Sequence, residues 1–283
     1  MKQEDGFSNL HPASNATFFL LQFLITMFSG NLILQGISAL SGFLYLCVRT
    51  GKQALKSLGF GIVALVLATI INPLFSHEGA TIITYFWNDN PLTLESIYYG
   101  FGMGVMLLAS ILWFQVLNQI MTTEKWIHLL GRILPSLALL FSMVLRFLPK
   151  LNQQRKNMRQ LHKDANKITL FSMLLTWGLE TSVDTADSMS ARGYGIGKRS
   201  SFTLFHFTSR DIWFIVIAVL FCIFTISNIL LEQMVFYYYP VFYIGGNQRL
   251  IIASCIVFFM FSMMPLFVVL KENIKWTYLK SKI

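Results

Sequence analysis

Charged side chains are scarce in this sequence. They make up 12% of 283 residues, against 55% hydrophobic. Soluble domains carry about a quarter charged residues, so a soluble globular chain is excluded. Cysteine is scarce too, and Cys47, Cys222 and Cys255 all fall in apolar runs. That placement reads as core packing rather than a disulfide framework or a metal site. Alternating segments of about ten residues, the signature of a membrane β-barrel, are missing. Acids are outnumbered, 13 against 22 Lys and Arg, for a net charge of +9.

What the chain does have is long uncharged stretches. Ser57 to Ser76, Ser96 to Thr123, Ile212 to Leu231 and Leu250 to Leu270 contain no charged residue. A span needs about 20 apolar residues, so these stretches predict an all-α, polytopic membrane protein. Ala16 to Val48 is uncharged as well, but as one helix it would be about 50 Å long. Ser29-Gly30-Asn31 breaks it into two short helices, 16–29 and 32–48. Spans at about 57–75, 97–119, 212–231 and 250–270 complete six crossings, with Asn72-Pro73 expected to end the third. Met1 to Ser14 is polar and of mixed charge, so no cleavable signal is expected and the first apolar segment stays in the membrane.

Charge placement orients these spans. Arg49, Lys52 and Lys56 follow the second, and Lys271, Lys275, Lys280 and Lys282 follow the last; Ser76 to Glu95 has acids but no Lys or Arg. The positive-inside rule then puts both termini in the cytoplasm. Asn88-Asp-Asn-Pro91 marks a turn in the outer loop. The other outer loop, Glu232 to Arg249, is rich in aromatics, as an interfacial belt would be. Gly100 and Gly104 are spaced as GxxxG, with Gly102 between them, and predict close helix packing within the protein.

Residues 122–209 differ from the rest. Thirteen of the Lys and Arg lie between Lys125 and Arg210, with only Asp164, Glu180, Asp184 and Asp187 as acids. Basic residues between spans are explained by membrane orientation, and no nucleic-acid partner is expected. Ile133 to Leu145 is too short to span. It leads through Arg146-Phe-Leu-Pro149 into a basic helix with Lys150, Arg155, Lys156, Arg159, Lys163 and Lys167. Ile168 to Leu179 leads into Glu180, Asp184 and Asp187, which share one helical face. These acids are either a solvated face or partners of Arg155, Arg159 or Lys163. The helix is expected to end at Ala191-Arg192-Gly193, where glycine takes the left-handed closing geometry and Arg192 meets the negative end of the dipole. The domain boundaries implied are 1–121, 122–209 and 210–283.

Chemistry is harder to find. Gly193-Tyr-Gly195-Ile-Gly197-Lys198 fails as a phosphate loop, because Arg192 stands at the first glycine position and Arg199 follows the lysine. His11, His77, His128, His162 and His206 are scattered, with no i, i+4 pair. No span interior carries a carboxylate, Lys or Arg, which pumps and proton relays need. Neither a catalytic residue, a metal site nor a cofactor is assigned. No internal repeat is visible, as a secondary transporter often shows.

Thr185-Ala-Asp-Ser-Met-Ser-Ala-Arg-Gly-Tyr194, with Lys198-Arg-Ser-Ser-Phe202 after it, resembles the second coupling-helix motif of the transmembrane (T) component of energy-coupling factor (ECF) transporters. Leu10-His-Pro12 is similar to that family's opening segment. Asn72-Pro-Leu-Phe-Ser-His-Glu-Gly79 with Asn90-Pro-Leu-Thr-Leu-Glu95 is similar to its second-span exit loop, and Leu145-Arg-Phe-Leu-Pro149 to the entry of its first coupling helix. The likeness runs from about residue 10 to residue 270. It departs at the first coupling motif, where the family's arginine is missing from Asp164-Ala165-Asn166; Arg159, His162 or Lys163 would substitute. A basic residue typical of the opening segment is also absent around Ser14 to Thr17.

The resemblance implies a non-catalytic subunit of an ABC importer for vitamins or metals. Two cytoplasmic ABC ATPases would bind the coupling helices. A small membrane S component would hold the substrate. The ATPase-coupling residues would be Ala191, Arg192, Gly193, Arg159, Lys163, Asp164 and Ala165. Such a chain would carry no polar intramembrane site. Two other readings stay open on the residues alone: an interfacial membrane enzyme with its site in 122–209, and a stand-alone channel or carrier.

Overall fold

The computed structural model describes residues 6–85, 90–163, 165–197, 205–231 and 233–280. Its described residues are almost wholly helical: α1 Pro12–Phe28, α2 Leu32–Thr50, α3 Lys52–Phe75, α4 Leu94–Ile120, α5 Thr123–Ile133, α6 Pro135–Leu161, α7 Lys167–Ala191, α8 Ser209–Leu230 and α9 Gln248–Lys280. Two small antiparallel hairpins, β1 Ile82–Tyr85 with β2 Pro91–Thr93 and β3 Val235–Tyr237 with β4 Tyr243–Gly245, are the remaining regular structure among the described residues. Five of the helices (α2, α3, α4, α8 and α9) are long and apolar enough to cross a bilayer, and α1 is a shorter apolar helix of 17 residues. The chain is an all-α, multi-pass membrane protein.

Two compact units are formed. One contains residues 1–122 and 207–283; the other contains residues 123–206. In the first, α4 packs against α3, α2 and α1, while α9 packs against α2 and α8, and α8 against α1. The split of the first apolar stretch has a local cause. Gly30 has φ +58° and Asn31 caps α2 by accepting a hydrogen bond from the Ile33 amide at 3.0 Å. Gly51, at φ +55°, reverses the chain between α2 and α3. The third span does not stop at Asn72-Pro73: α3 runs on to Phe75 with Pro73 inside it. Asn72 instead reaches across, its Nδ2 donating to the Ser96 carbonyl at 2.8 Å.

The core of this unit is aromatic. Phe18 lies against Phe7, Trp113 and Phe261 with ring centroids 5.6, 5.6 and 5.1 Å away. Phe7 is fully buried and also reaches Phe214 of α8 and Tyr45 of α2. Phe7, Leu10 and His11, just before α1, are thus packed into this core. The glycines of α4 meet the expectation of packing within the protein. A Cβ on Gly104 would stand 2.8 Å from the Leu65 carbonyl oxygen, and one on Gly100 would stand 3.2 Å from that of Ala68, so α3 approaches to backbone contact. Gly102 faces the Tyr238 hydroxyl.

The loops after α3 and α8 meet at one end. Ala80 N–H donates to the Pro240 carbonyl at 3.0 Å, and the Ser76 and Tyr239 hydroxyls are 3.2 Å apart. Tyr99 packs on Tyr238 and Tyr239, and Tyr98 on Phe242. The aromatic loop is therefore used for hairpin packing as well as for interfacial character. Burial and the neighbouring Tyr99 push the Tyr238 hydroxyl above its usual pKa. Residues 86–89, between β1 and β2, lie outside the described residues, and with them Asn88 and Asp89 of the expected turn.

A buried polar cluster corrects the expectation of a membrane interior without a polar site. Gln22 Nε2 donates to Ser38 Oγ at 2.9 Å, Thr26 and Ser38 hydroxyls share a 2.8 Å bond, and Trp113 Nε1 donates to the Ser38 carbonyl at 3.0 Å. Ser262 Oγ of α9 donates to Gln22 Oε1 at 3.3 Å. These groups carry no charge, so a test for charges passes over them. Their bonds close on one another, joining α1, α2, α4 and α9. Each such bond contributes about 0.6 kcal/mol in a membrane setting.

Candidate functional site

The unit formed by residues 123–206 holds the residues singled out from the sequence. It begins with α5, a short amphipathic helix that the sequence reading did not separate out. Leu134 follows, and Pro135 opens α6 at a first-turn position where its missing N–H costs nothing. Helix α6 continues through Pro149 to Leu161, so the apolar and basic halves form one helix. A link, 162–166, leads into α7. The stack of Phe147 on Trp177, centroids 5.7 Å apart and 14° between planes, holds α6 and α7 together, with Gly178 beside the Phe147 ring.

Helix α7 ends as the sequence predicts. Arg192 is its C-cap residue. Gly193 adopts φ +78°, its N–H donating to the Ser190 carbonyl at 3.0 Å, and Tyr194 N–H donates to Met189 at 3.0 Å. This is the Schellman arrangement, which satisfies the last carbonyls of the helix with a left-handed glycine. Ala191 and Arg192 are exposed, as are Tyr194 (45%) and Ile196 (88%). Arg192 is thus a cation at the negative end of a helix dipole, on a tip facing outward from its own unit. The residues after it, 198–204, lie outside the described set, including Lys198-Arg-Ser-Ser-Phe202.

The other proposed contact is at a different place. Arg159 is in the last turn of α6, and Lys163 is in the link; both are exposed. Ala165 is half-buried, its N–H donating to the His162 carbonyl at 3.3 Å, and Asp164 lies outside the described residues. This group sits where α7 begins, whereas Arg192 sits where it ends. The 25 residues between make α7 about 37 Å long. The two groups are therefore separate tips.

Glu180, Asp184 and Asp187 are exposed along α7. The alternative pairing with Arg155, Arg159 or Lys163 does not fit the hairpin. Measured from the Phe147–Trp177 stack, Arg155 lies toward the 162–166 link and Glu180 lies away from it. Eleven residues of combined offset place them about 16 Å apart along the axis. The acids form a solvated face.

What sequence reasoning missed is how little of this unit is covered. No residue of α7 is buried, and in α6 Ala138 is buried among the described residues. Ile168, Phe171, Leu175, Leu179 and Val183 of α7 are all more than half exposed, as are Leu140 of α6 and Ile133 of α5. The i, i+3, i+4 spacing of apolar residues is legible, but not that the face it makes has no cover within its own unit. Among the described residues, no three His, Cys, Asp or Glu side chains come close enough to hold a metal ion.

The residues resembling an exit loop do come together, in the other unit. Thr93 Oγ1 donates to the Glu78 carbonyl at 2.7 Å, and buried Glu95 accepts from the Thr81 hydroxyl at 2.8 Å. Gly79, φ +140°, lets the backbone pass beside Thr93 and Glu95 where a Cβ would collide. The chain matches no protein-family model, and no curated protein is significantly similar to it.

Proposed function

We propose that this chain is the transmembrane energy-coupling subunit of an ECF-type ABC importer. In this reading residues 123–206 and both termini face the cytoplasm of a cell whose plasma membrane holds the protein. Two ABC ATPases bind the exposed tips, and a small membrane S component carries the vitamin or metal. ATP is hydrolysed on the partners, and this chain needs no cofactor of its own.

The observation that carries the reading is the end of α7. Arg192 is displayed on a glycine-closed tip, at the end of a helix with no buried side chain. A helix that buries nothing against its own chain gains little from tertiary packing, and isolated helices are marginal in water. Its exposed apolar residues are explained by partner chains. The Arg159–Lys163 group offers a second tip about 37 Å away, as two ATPase subunits require. Motion imposed at the tips would pass along α6 and α7 and into the membrane through α4 and α8, which adjoin this unit in sequence.

Affinity purification of Arg192→Glu tests the proposal. Reversing a charge desolvated at an interface costs about 2–5 kcal/mol. The variant is expected to insert normally but to lose its ATPase subunits and uptake. Retention of both would overturn the reading.

A further inference from the structure

The chain leaves the larger unit after α4 and returns to it before α8. At both junctions an ionised side chain ties the helix end to a remote part of that unit. At the return, Asp211 stands in the first turn of α8 and is 3% exposed. Its Oδ2 accepts from the Thr208 amide at 2.9 Å and from the Thr208 hydroxyl, forming a capping box. Its Oδ1 accepts from the His11 amide at 2.9 Å, across 200 residues of sequence. His11 is itself fixed: its Nδ1 accepts from the Ala13 amide at 3.1 Å to cap α1, and its ring meets Phe207 edge-on at 4.9 Å. Phe7 anchors the same segment in the aromatic core, and Gly6 lies against the Glu272 carboxylate of α9.

At the exit, Arg49 in the last turn of α2 donates from Nη2 to the Gln119 carbonyl at 3.3 Å and from Nη1 to the Tyr45 hydroxyl at 3.3 Å. Gln119 lies in the last turn of α4, where carbonyls lack intrahelical donors. Both helix ends that border the inserted segment are thus held by an ionised side chain through charge-assisted hydrogen bonds.

We propose that the Asp211–His11 clamp, with Arg49 as its counterpart at the exit, is a positioning device for force transmission. It makes the roots of α4 and α8 rigid, so that displacement of the inserted segment moves these helices together with α1, α2 and α9 instead of fraying their ends. This role rests on the coupling reading above; the clamp itself does not. Without Asp211 the first turn of α8 loses its cap, and the segment 6–11 loses its hold on α8. A push arriving through residue 207 would then be absorbed by unwinding at the junction.

Two measurements test this on the full chain. In nanodiscs, hydrogen exchange at the His11 and Thr208 amides is followed for wild type and Asp211→Ala. The variant is expected to exchange there about tenfold faster or more, because a hydrogen bond to a charged acceptor is lost. Unchanged exchange would overturn the clamp. In complexes purified with the ATPases, uptake per ATP hydrolysed is expected to fall about three- to tenfold, with ATPase retention kept. Raised exchange with unchanged uptake per ATP would overturn the positioning role. Should Asp211→Ala fail to fold, Thr208→Ala, which removes the hydroxyl from the capping box and leaves the His11 amide bond, is read by the same two assays. Asp211→Glu, which keeps the charge, is expected to restore part of the coupling. Failure of wild type to retain ATPases would refute the coupling reading while leaving the exchange result to decide the clamp.

Discussion

The larger unit and the 123–206 unit are built from helices of similar length and opposite economy of contact. In the first, Trp113, Phe7, Phe18 and Phe261 are fully buried, and even Ser38 and Gln22 are enclosed and bonded. In the second, a 25-residue helix buries nothing and leaves Phe171 and Val183 exposed at 64% and 60%. The second also holds most of the Lys and Arg, yet it keeps apolar faces as the first does. What separates them is whether each apolar face meets another of the same chain. The first unit is specified by its own sequence, with lipid against its outer side. The second leaves apolar surfaces that nothing within its own unit covers.

Substitutions break or sharpen that contrast. The largest effect is expected at Trp113. Its replacement by alanine removes a ring packed on Phe18 and Phe19 and a hydrogen bond to the Ser38 carbonyl. A loss of about 3–5 kcal/mol follows from truncating a buried aromatic, read as a large drop in melting temperature in detergent. Gly193→Ala comes next. A Cβ at φ +78° costs about 1–2 kcal/mol, but the cost is local. Faster amide exchange over Ser188–Tyr194 is expected, with global melting unchanged. Phe171→Ala should have the smallest effect on the isolated chain, within about 0.5 kcal/mol, as for exposed sites generally. A loss of stability there comparable to that at Trp113 would show that α7 is covered within the chain after all. In a complex with bound partners the same variant should instead weaken retention.

The helices were legible because their signals are local. Gly30 breaks the first apolar stretch where its positive φ is needed, and Gly193 ends α7 for the same reason. Pro149 marks the passage from apolar to basic sequence, and the helix continues through it as the sequence predicts. The candidate tip was readable as a helix end; its exposure was not, since exposure depends on what the rest of the chain covers. Two features escaped because their partners are remote in sequence. Phe7 looks like one aromatic in a polar segment, and only the fold brings it to Phe214 and Tyr45. Gln22 and Ser262 bond across 240 residues, and uncharged polar side chains leave no mark in a search for charges. The β1–β2 and β3–β4 hairpins are too short for alternation to stand out from the surrounding loop.

Helix α1 gives the molecule one thin flank. Its 17 residues reach about 25 Å, short of the roughly 30 Å hydrocarbon slab, and Leu20, Leu24 and Phe28 face outward along it. Were α1 to cross the bilayer, acyl chains beside it would have to shorten or tilt, while those beside the 24-residue α3 would not. Lipids with shorter tails would then gather at that side of the protein.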